Sequence, residues 1–276
     1  MPSNKISIPT TNEEWAGVIS TVQDDLGETT TTTHLARPTS VAGHIDHTQL
    51  SLSTTESLID TLCVEALEFG FATVCVRLPW VARCKQNLEG KEPKVGIACV
   101  VGFHEGTYST DEKVEEARKA VDLGATELDM VLNYPLLKEG KYTAVFDDIS
   151  AVRRATVNNP SRVLLKVILE TSQLSHEQII AGCVISSLAG ADYVKTSTGF
   201  NGPGATVENV RLMRQVVDLM GDGCKVKASG GVKTAEKCVE MLMAGADRIG
   251  TSSGAKIARE VLGKAVEGEG SGEGSY

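Results

Sequence analysis

Residues 163–171 read VLLKVILET, and this stretch decides the fold of the chain. It is an almost unbroken apolar run, which is typical of a strand buried on both faces of a parallel sheet. Seven further runs have the same character: VAGHIDHTQL (41–50), FATVCVRL (71–78), VGIACVVGF (95–103), TELDMVLNY (126–134), DYVKTSTGF (192–200), CKVKASGG (224–231) and RIGTSSG (248–254). We therefore predict eight strands.

Helical patterns separate the strand-like runs. The clearest are TDEKVEEARKAVDLG (110–124), SHEQIIAGCVISSLAG (175–190), TVENVRLMRQVVDLMG (206–221) and TAEKCVEMLMAG (234–245). Several begin at a Ser or Thr cap and end at Gly, as helices commonly do. Eight alternating strands and helices predict an α/β fold of the (β/α)8 TIM-barrel type. A doubly wound sheet is the alternative, but its G-x-G-x-x-G turn is missing after the first strand.

The two ends of the chain differ from the repeated pattern. Residues 1–40 form a predicted N-terminal extension that is partly helical, with a helix around Asn12 to Leu26. Residues 41–266 form the predicted catalytic barrel. Residues 267–276, EGEGSGEGSY, have the composition of a flexible tail.

Charge and cysteine content narrow the class of protein. The chain has 276 residues and a net charge of −9, which argues against binding to nucleic acid or to an anionic membrane. Seven scattered cysteines without a C-x-x-C pair favour a reduced intracellular protein without structural zinc. The N-terminus lacks an apolar signal core, and no stretch of 18 apolar residues exists. We expect a cytoplasmic protein.

Polar residues near the carboxyl ends of the predicted strands are the candidate functional residues, because active sites of such barrels lie there. In chain order they are Asp46, Cys75, Asp129, Lys166, Lys195, Thr198, Lys227, Gly230, Gly231, Ser252 and Ser253. We expect no metal, because this set does not resemble a conventional ligand set.

The lysines predict nucleophilic chemistry. Lys195 and Lys227 lie on adjacent predicted strands, and two unit charges about 5 Å apart repel by roughly 3 kcal/mol at an effective dielectric near 20. Repulsion and burial together would leave one amine uncharged and able to attack a carbonyl group. A lone strand lysine such as Lys166 is more simply explained as half of an ion pair.

The two strand aspartates allow two interpretations. Asp129 is costly to bury without a partner, so we expect a salt bridge to Lys166 on the neighbouring strand, and it could also assist proton transfer. Asp46 is either a structural residue or a member of the proton relay. Strand periodicity places it on the opposite face from His47.

Two glycine- and serine-containing turns follow the last two strands. Loops at these positions commonly bind phosphate in TIM barrels, with Gly230 and Gly231 offering backbone N–H groups and Ser252 and Ser253 offering hydroxyls. The alternative is that the glycines serve backbone conformation alone.

The ordered set HIDHTQL, ATVCVRLPW, ELDMVLNY, LLKVILET, YVKTSTGF, KASGGVKTAE and RIGTSSG resembles the deoxyribose-phosphate aldolase family over about residues 43–254. That resemblance implies a class I aldolase, a lyase that reversibly cleaves 2-deoxy-D-ribose 5-phosphate to D-glyceraldehyde 3-phosphate and acetaldehyde in deoxyribonucleotide catabolism. It implies a lysine Schiff base, no cofactor and a phosphorylated sugar as partner. A homodimer is compatible with a barrel of this size.

The resemblance also assigns roles. Lys195 matches the Schiff-base lysine, Lys227 the partner that lowers its pKa, and Asp129 the acid/base residue. Lys166 and Asp46 match supporting positions, and Gly230, Gly231, Ser252 and Ser253 match the phosphate site.

Two further positions bear on this assignment. Phe200 stands where some members carry a phosphate-binding lysine. Tyr276 matches a terminal tyrosine that enters the active site in some members, and the alternative is a chain end without that role.

Three other functions stay open from the residues alone. A transaldolase would share the Schiff base but take a different donor. A phosphosugar isomerase or synthase would use the phosphate site without an imine. A barrel that only binds a phosphorylated ligand would need the phosphate site but no imine and no turnover.

Overall fold

A closed barrel of eight parallel strands forms the centre of the molecule. The computed structural model describes residues 7–28, 38, 40–157 and 162–263. The strands pair in sequence order and the eighth pairs with the first, which confirms the predicted (β/α)8 barrel. They are β1 (Ile45–Gln49), β2 (Thr73–Val76), β3 (Gly96–Val101), β4 (Glu127–Val131), β5 (Leu164–Ile168), β6 (Tyr193–Lys195), β7 (Lys225–Ser229) and β8 (Arg248–Thr251).

Helices surround the barrel. They are α1 (Asn12–Glu28), α2 (Glu56–Phe69), α3 (Val81–Leu88), α4 (Thr110–Asp122), α5 (Tyr134–Lys138), α6 (Tyr142–Thr156), α7 (His176–Leu188), α8 (Val207–Met220), α9 (Ala235–Met243) and α10 (Gly254–Val261). Short 3-10 turns lie at Ala42–His44, Leu78–Trp80 and Thr171–Gln173. In the described part of the chain, no helix has both the length and the hydropathy needed to cross a membrane.

Ser175 caps α7 as predicted, whereas α4 is capped by Ser109, one residue before the predicted start at Thr110. Ser109 and Ser175 each form a capping box, in which the serine side chain accepts from the N3 backbone N–H and the N3 side chain accepts from the cap backbone. The turn between α9 and β8 needs a residue with positive φ. Gly245 supplies it, with φ +112°. A Cβ there would lie 2.6 Å from Cγ of Arg214.

The strands separate two environments. Their outward side chains pack against the helices in the main core, and His47 of β1 faces outward to a contact with Glu65 of α2. Inside the barrel, charged side chains occupy one part of the lumen. A smaller apolar cluster lies inside as well, formed by Leu50, Cys75, Ala98, Val100, Phe103, Val131 and Ile168.

The extension contributes one described helix. Its Trp15 is fully buried, and α1 contacts α6, α7 and α8 of the barrel wall. The predicted tail, residues 267–276, lies outside the described residues.

Candidate active site

Strand register brings the predicted lysines and aspartate together. Asp129 on β4 pairs with Lys166 on β5, and Lys195 on β6 pairs with Lys227 on β7. Residues paired across neighbouring strands point to the same side of a sheet. All four side chains therefore project into the barrel, where each residue is at most 3% exposed.

Asp129 lies at the centre of this group. Its Oδ1 accepts a hydrogen bond from Nζ of Lys166 at 2.7 Å, and its Oδ2 accepts from Nζ of Lys195 and of Lys227, each at 2.7 Å. The nitrogens of Lys195 and Lys227 share one oxygen, so they lie at most twice that distance apart. The structure thus brings together the two amines that the sequence placed on adjacent strands.

Asp46 and two unpredicted residues complete a network. Asp46 accepts hydrogen bonds from Nζ of Lys227 and, at 2.6 Å, from Arg248. Glu127 lies 2.5 Å from Nζ of Lys166 and 3.3 Å from Arg248. We call these side chains the acid–base network: Asp46, Glu127, Asp129, Lys166, Lys195, Lys227 and Arg248.

The lysines of the network have opposite pKa shifts. Burial lowers the pKa of Lys195 below its ordinary value, Asp129 opposes this, and the Lys227 ammonium lowers it further. Burial also disfavours the charged form of Lys227, but Asp129 and Asp46 outweigh it and raise the pKa of Lys227. The pKa of Lys166 is likewise raised, because Asp129, Asp46 and Glu127 outweigh its burial.

The pKa values of the two aspartates are both lowered. Burial would raise the pKa of Asp129, but Lys166, Lys195 and Lys227 hold it well below its ordinary value. Lys227, Lys166 and Arg248 hold the pKa of Asp46 low against the same effect of burial.

Charge balance favours one neutral lysine. The network contains four basic groups and three carboxylates. With Lys195 uncharged and all other groups ionised, the positive and negative charges are equal in number. A buried cluster without net charge is easier to accommodate than one with an unpaired ion. Lys195 is therefore the amine suited to nucleophilic attack.

Cys75, a predicted binding residue, lies beside the network. Its Sγ is 3.9 Å from Oδ2 of Asp129, and its side chain is part of the inner apolar cluster. Burial, followed by the Asp129 carboxylate, raises the pKa of the Cys75 thiol, so the thiol stays protonated.

A cavity of about 630 Å³ opens above Lys195. Its lining comes from the ends of β1, β6, β7 and β8 and includes Thr48, Lys195, Thr198, Gly199, Phe200, Ser229, Gly230, Gly231, Lys233, Thr251 and Ser252. Asp129, Lys166 and Lys227 do not line it. Of the network, only Lys195 is therefore presented to a ligand in this cavity.

The predicted phosphate residues divide into two groups. Thr198, Gly230, Gly231 and Ser252 line the cavity, whereas Ser253 does not and instead precedes α10 as its N-cap residue. Gly230 and Gly231 have φ of +84° and +75°, a conformation that favours glycine.

Phe200 lies half-exposed at the rim of this cavity. Its ring stacks on that of His104 at 5.1 Å and meets that of Phe103 edge-on at 5.2 Å. The position therefore presents an aromatic surface where some family members present a cation. Tyr276 lies outside the described residues.

Sequence reasoning missed Glu127, Arg248 and Lys233. Glu127 precedes Asp129 by two residues in TELDMV, so strand periodicity would have placed both on the inner face. Arg248 is the first residue of β8, a position where a charged side chain is ordinary and gives no signal of function. Lys233 follows the Gly-Gly turn of β7, and it is the exposed cationic side chain among the cavity-lining residues.

Comparisons with known proteins identify the family of the chain. A family model described as "DeoC/LacD family aldolase" matches residues 40–263. The chain is similar to the deoxyribose-phosphate aldolase of Coccidioides immitis (strain RS), with 62% identity over 80% of each chain. It is also similar to that of Thermococcus gammatolerans, with 48% identity over 79% of this chain and 94% of the relative.

Solved structures share the fold. A crystal structure from Coccidioides immitis is 57% identical, has a TM-score of 0.87 and covers 92% of this chain and 98% of its own. A deoxyribose phosphate aldolase from Aeropyrum pernix, described as having a unique tetrameric structure, is 29% identical. Its TM-score is 0.75, with 94% of this chain and 100% of that chain covered.

Proposed function

The chain belongs to the DeoC/LacD aldolase family, and from this premise we propose that Lys195 forms the Schiff base through which it cleaves 2-deoxy-D-ribose 5-phosphate. The products are D-glyceraldehyde 3-phosphate and acetaldehyde. The enzyme is a class I aldolase, a carbon–carbon lyase, and the reaction belongs to deoxyribose phosphate catabolism.

One observation carries the role of Lys195. Three lysines bond a single buried carboxylate, and among them only Lys195 lines the cavity. Its pKa is lowered while those of the other two are raised. An uncharged amine at a cavity, backed by two ammonium groups, is the arrangement that imine formation requires.

Imine formation is the first step. The Lys195 nitrogen attacks C1 of the open-chain sugar phosphate and forms a C–N bond, giving a carbinolamine. Loss of water then gives a protonated imine. Asp129, hydrogen-bonded to the Lys195 nitrogen, is placed to accept and return the protons that move in this step.

Cleavage follows from the positive charge on the imine. A proton leaves the C3 hydroxyl for Asp129 through water and Lys166 or Lys227, and the C2–C3 bond breaks. Its electron pair passes into the iminium group and forms an enamine, while C3 becomes the aldehyde of glyceraldehyde 3-phosphate. The enamine then takes a proton at C2, and water releases acetaldehyde and free Lys195. We propose water held near Asp46, or Tyr276, as the proton source.

The phosphate end of the substrate fits the turns of β7 and β8. Gly230, Gly231 and Ser252 supply backbone and hydroxyl donors, and Thr198 lines the same cavity. Ser253 lies at the start of α10. Lys233 supplies a positive charge to this end of the cavity, which supports phosphate binding in the absence of a lysine at position 200.

Borohydride trapping tests the proposal. Reduction in the presence of 2-deoxyribose 5-phosphate is expected to leave a two-carbon adduct on Lys195, located by peptide mapping. Lys195→Leu should lose the adduct and at least about 10³-fold in kcat/KM. Lys225→Met is the matched control, because Lys225 lies on β7 but is exposed. An adduct on another lysine, or full activity of Lys195→Leu, would refute the role of Lys195.

Chelation provides a second test. Because the iminium group acts as the electron sink, EDTA should leave the rate unchanged. Activity that EDTA abolishes and a divalent cation restores would contradict the scheme.

We also propose a homodimer in a reducing cytoplasm. All seven cysteines are unpaired and buried, which suits a reducing compartment. Light scattering coupled to size exclusion would give the mass in solution, and a value near 29.3 kDa would exclude the dimer.

A further inference from the structure

A buried glutamate links the turn after β5 to the loop after β6. Glu170 is 1% exposed and does not line the cavity. Among the described residues it is the one non-glycine residue with positive φ, at +61°. Side chains rarely adopt this conformation, and where they do the surrounding structure holds them there for a reason that is often functional.

The Glu170 carboxylate accepts three hydrogen bonds from the loop. Thr198 donates its backbone N–H to Oε1 at 3.3 Å and its hydroxyl to Oε2 at 2.5 Å, and the Asn201 amide donates to Oε2 at 3.3 Å. The same turn holds the Asn201 carbonyl, which accepts from Ser172 at 2.7 Å and from Gln173 at 2.8 Å. We call these five bonds the Glu170 clasp.

The other side of the loop packs against the β7 turn. The backbone of Gly204 lies so close to Gly230 that a Cβ at Gly204 would be 2.1 Å from the Gly230 carbonyl carbon. The Ala205 N–H donates to the carbonyl oxygens of Ser229 and Gly230, each at 3.0 Å. The loop is thus fixed between two neighbours, and its residues 198–200 line the cavity beside Gly230 and Gly231.

Lys195 does not depend on this loop for its position. Its nitrogen is held by Asp129 and its backbone by the strand ladder, including a 2.8 Å bond from the Leu169 N–H to its carbonyl. Loosening the clasp would therefore affect the cavity wall more than the reacting amine.

We propose that Glu170 is a positioning residue for phosphate recognition. Through Thr198 it fixes the β6 loop in place beside the β7 turn, and so sets the shape of the phosphate end of the cavity. This inference rests on the proposed cleavage of a phosphorylated sugar.

Glu170→Gln is the test, because three donors converge on two carboxylate oxygens. One end of the glutamine amide is itself a donor and must face another donor. The KM for 2-deoxyribose 5-phosphate should rise about tenfold, with kcat within about twofold. The inhibition constant of inorganic phosphate should rise in parallel, whereas kcat/KM for unphosphorylated 2-deoxyribose should stay the same.

Two further variants serve as a control and as a second test. Glu115→Gln removes an exposed carboxylate from α4 and should change none of these constants. Asn201→Ala keeps the Glu170 carboxylate but removes the amide that donates to it and to the His104 carbonyl. It should raise KM about threefold even if Glu170→Gln folds poorly. Melting temperatures report folding in each case.

The outcomes separate the two proposals. A wild-type enzyme that neither cleaves the substrate nor forms the Lys195 adduct would reject the proposed function. An active wild type combined with an unchanged KM in Glu170→Gln, or with equal losses for phosphorylated and unphosphorylated substrates, would reject the clasp alone.

Discussion

The difference between Lys195 and Lys227 arises from the number of carboxylates that each one touches. Lys227 bonds both Asp46 and Asp129, while Lys195 bonds Asp129 alone. Two lysines that compete for one oxygen cannot both be stabilised fully as cations, because they also repel each other. We propose that the lysine with the second carboxylate keeps the proton and that the other is the nucleophile.

Lys227→Met tests this division. Removing the ammonium takes away one cause of the lowered pKa of Lys195 and leaves Asp129 to attract the Lys195 proton more strongly. The pKa of Lys195 should therefore rise. The acid limb of the kcat/KM profile should move to higher pH, and kcat/KM at pH 7 should fall by roughly 10- to 100-fold.

The direction of the shift is the decisive part of that experiment. Lys225→Met on the same strand should keep the wild-type profile, since Lys225 is exposed and its nitrogen lies over the Tyr193 ring, 5.9 Å from the centroid. An acid limb that stays in place in Lys227→Met, or that moves to lower pH, would contradict the pKa role of Lys227.

Among single residues, the sequence allowed prediction of those whose charge interrupts an apolar strand. Lys166, Lys195, Lys227 and Asp129 each interrupt a buried strand, so their burial alone required an explanation. Arg248 begins its strand, where a charged residue is ordinary, and Glu170 owes its significance to a backbone angle. Ser253 was predicted from a serine pair, but only the exact turn decides which serine faces the cavity.

At the scale of the elements, β8 is adapted to the side chain of Lys227. Gly250 lies where a Cβ would come within 2.9 Å of both Cε of Lys227 and Cβ of Ser229. Lys227 cannot move aside freely, because its nitrogen is held by Asp46 and Asp129. The absence of a side chain at Gly250 leaves space for the Lys227 side chain of the neighbouring strand.

Gly250→Ala should therefore displace the Lys227 side chain and impair the acid–base network, although Gly250 is not a member of it. We expect a loss of about 1–3 kcal/mol in unfolding free energy from overpacking, together with a clear fall in kcat. Urea unfolding and steady-state kinetics measure the two effects. Gly43→Ala is the control, because nothing lies within 4 Å of a Cβ there. Wild-type kinetics in Gly250→Ala would mean that the strand yields without moving Lys227.

Element boundaries were less predictable than element types. The run DYVKTSTGF predicted a strand, but β6 contains only Tyr193–Lys195. Thr196 still donates its N–H to the Lys227 carbonyl at 3.0 Å. Side-chain bonds then hold the continuation of the run, from the Thr196 hydroxyl to Ser229 and from the Thr198 hydroxyl to Glu170, between residues about 30 positions apart in the chain. Local sequence patterns do not contain such contacts.

For the whole molecule, the acid–base network ties stability to pH. The pKa values of Asp46 and Asp129 are held below the ordinary 3.8 in the folded state. Such groups stabilise the fold above the unfolded pKa, and that contribution is lost as pH falls through about 4 and below. The urea midpoint should change little between about pH 7 and 5 and then drop.

Added salt distinguishes this buried network from surface charges. The network lies inside the barrel, so about 0.5 M NaCl should leave the acid-induced drop in place, whereas surface attractions would be screened. A urea midpoint that stays constant from about pH 5 to 3 would contradict the assigned charge states.

Helix α1 of the N-terminal extension packs on the outer face of α7. This contact predicts a structural role for the extension. Helix α7 buries every residue from Ile179 to Ser187, so its outer face is covered as well as the face on the barrel. A helix that is buried all round needs neighbours on all sides. Helices α6 and α8 flank it, and α1 also packs on it.

Trp15 is the residue through which α1 can be tested. It is fully buried, and its ring lies 5.2 Å from that of Phe146 on α6. Trp15→Ala should cost about 3–5 kcal/mol of unfolding free energy, because a large side chain leaves a cavity in the outer layer. The acid–base network lies on the strands, so kcat/KM of the folded fraction should stay at the wild-type value. Ile8→Ala, at a 53% exposed residue, should change stability by less than about 0.5 kcal/mol. If Trp15→Ala unfolds with the wild-type midpoint, α1 does not stabilise the barrel, and some other contact must account for the stability of the outer face of α7.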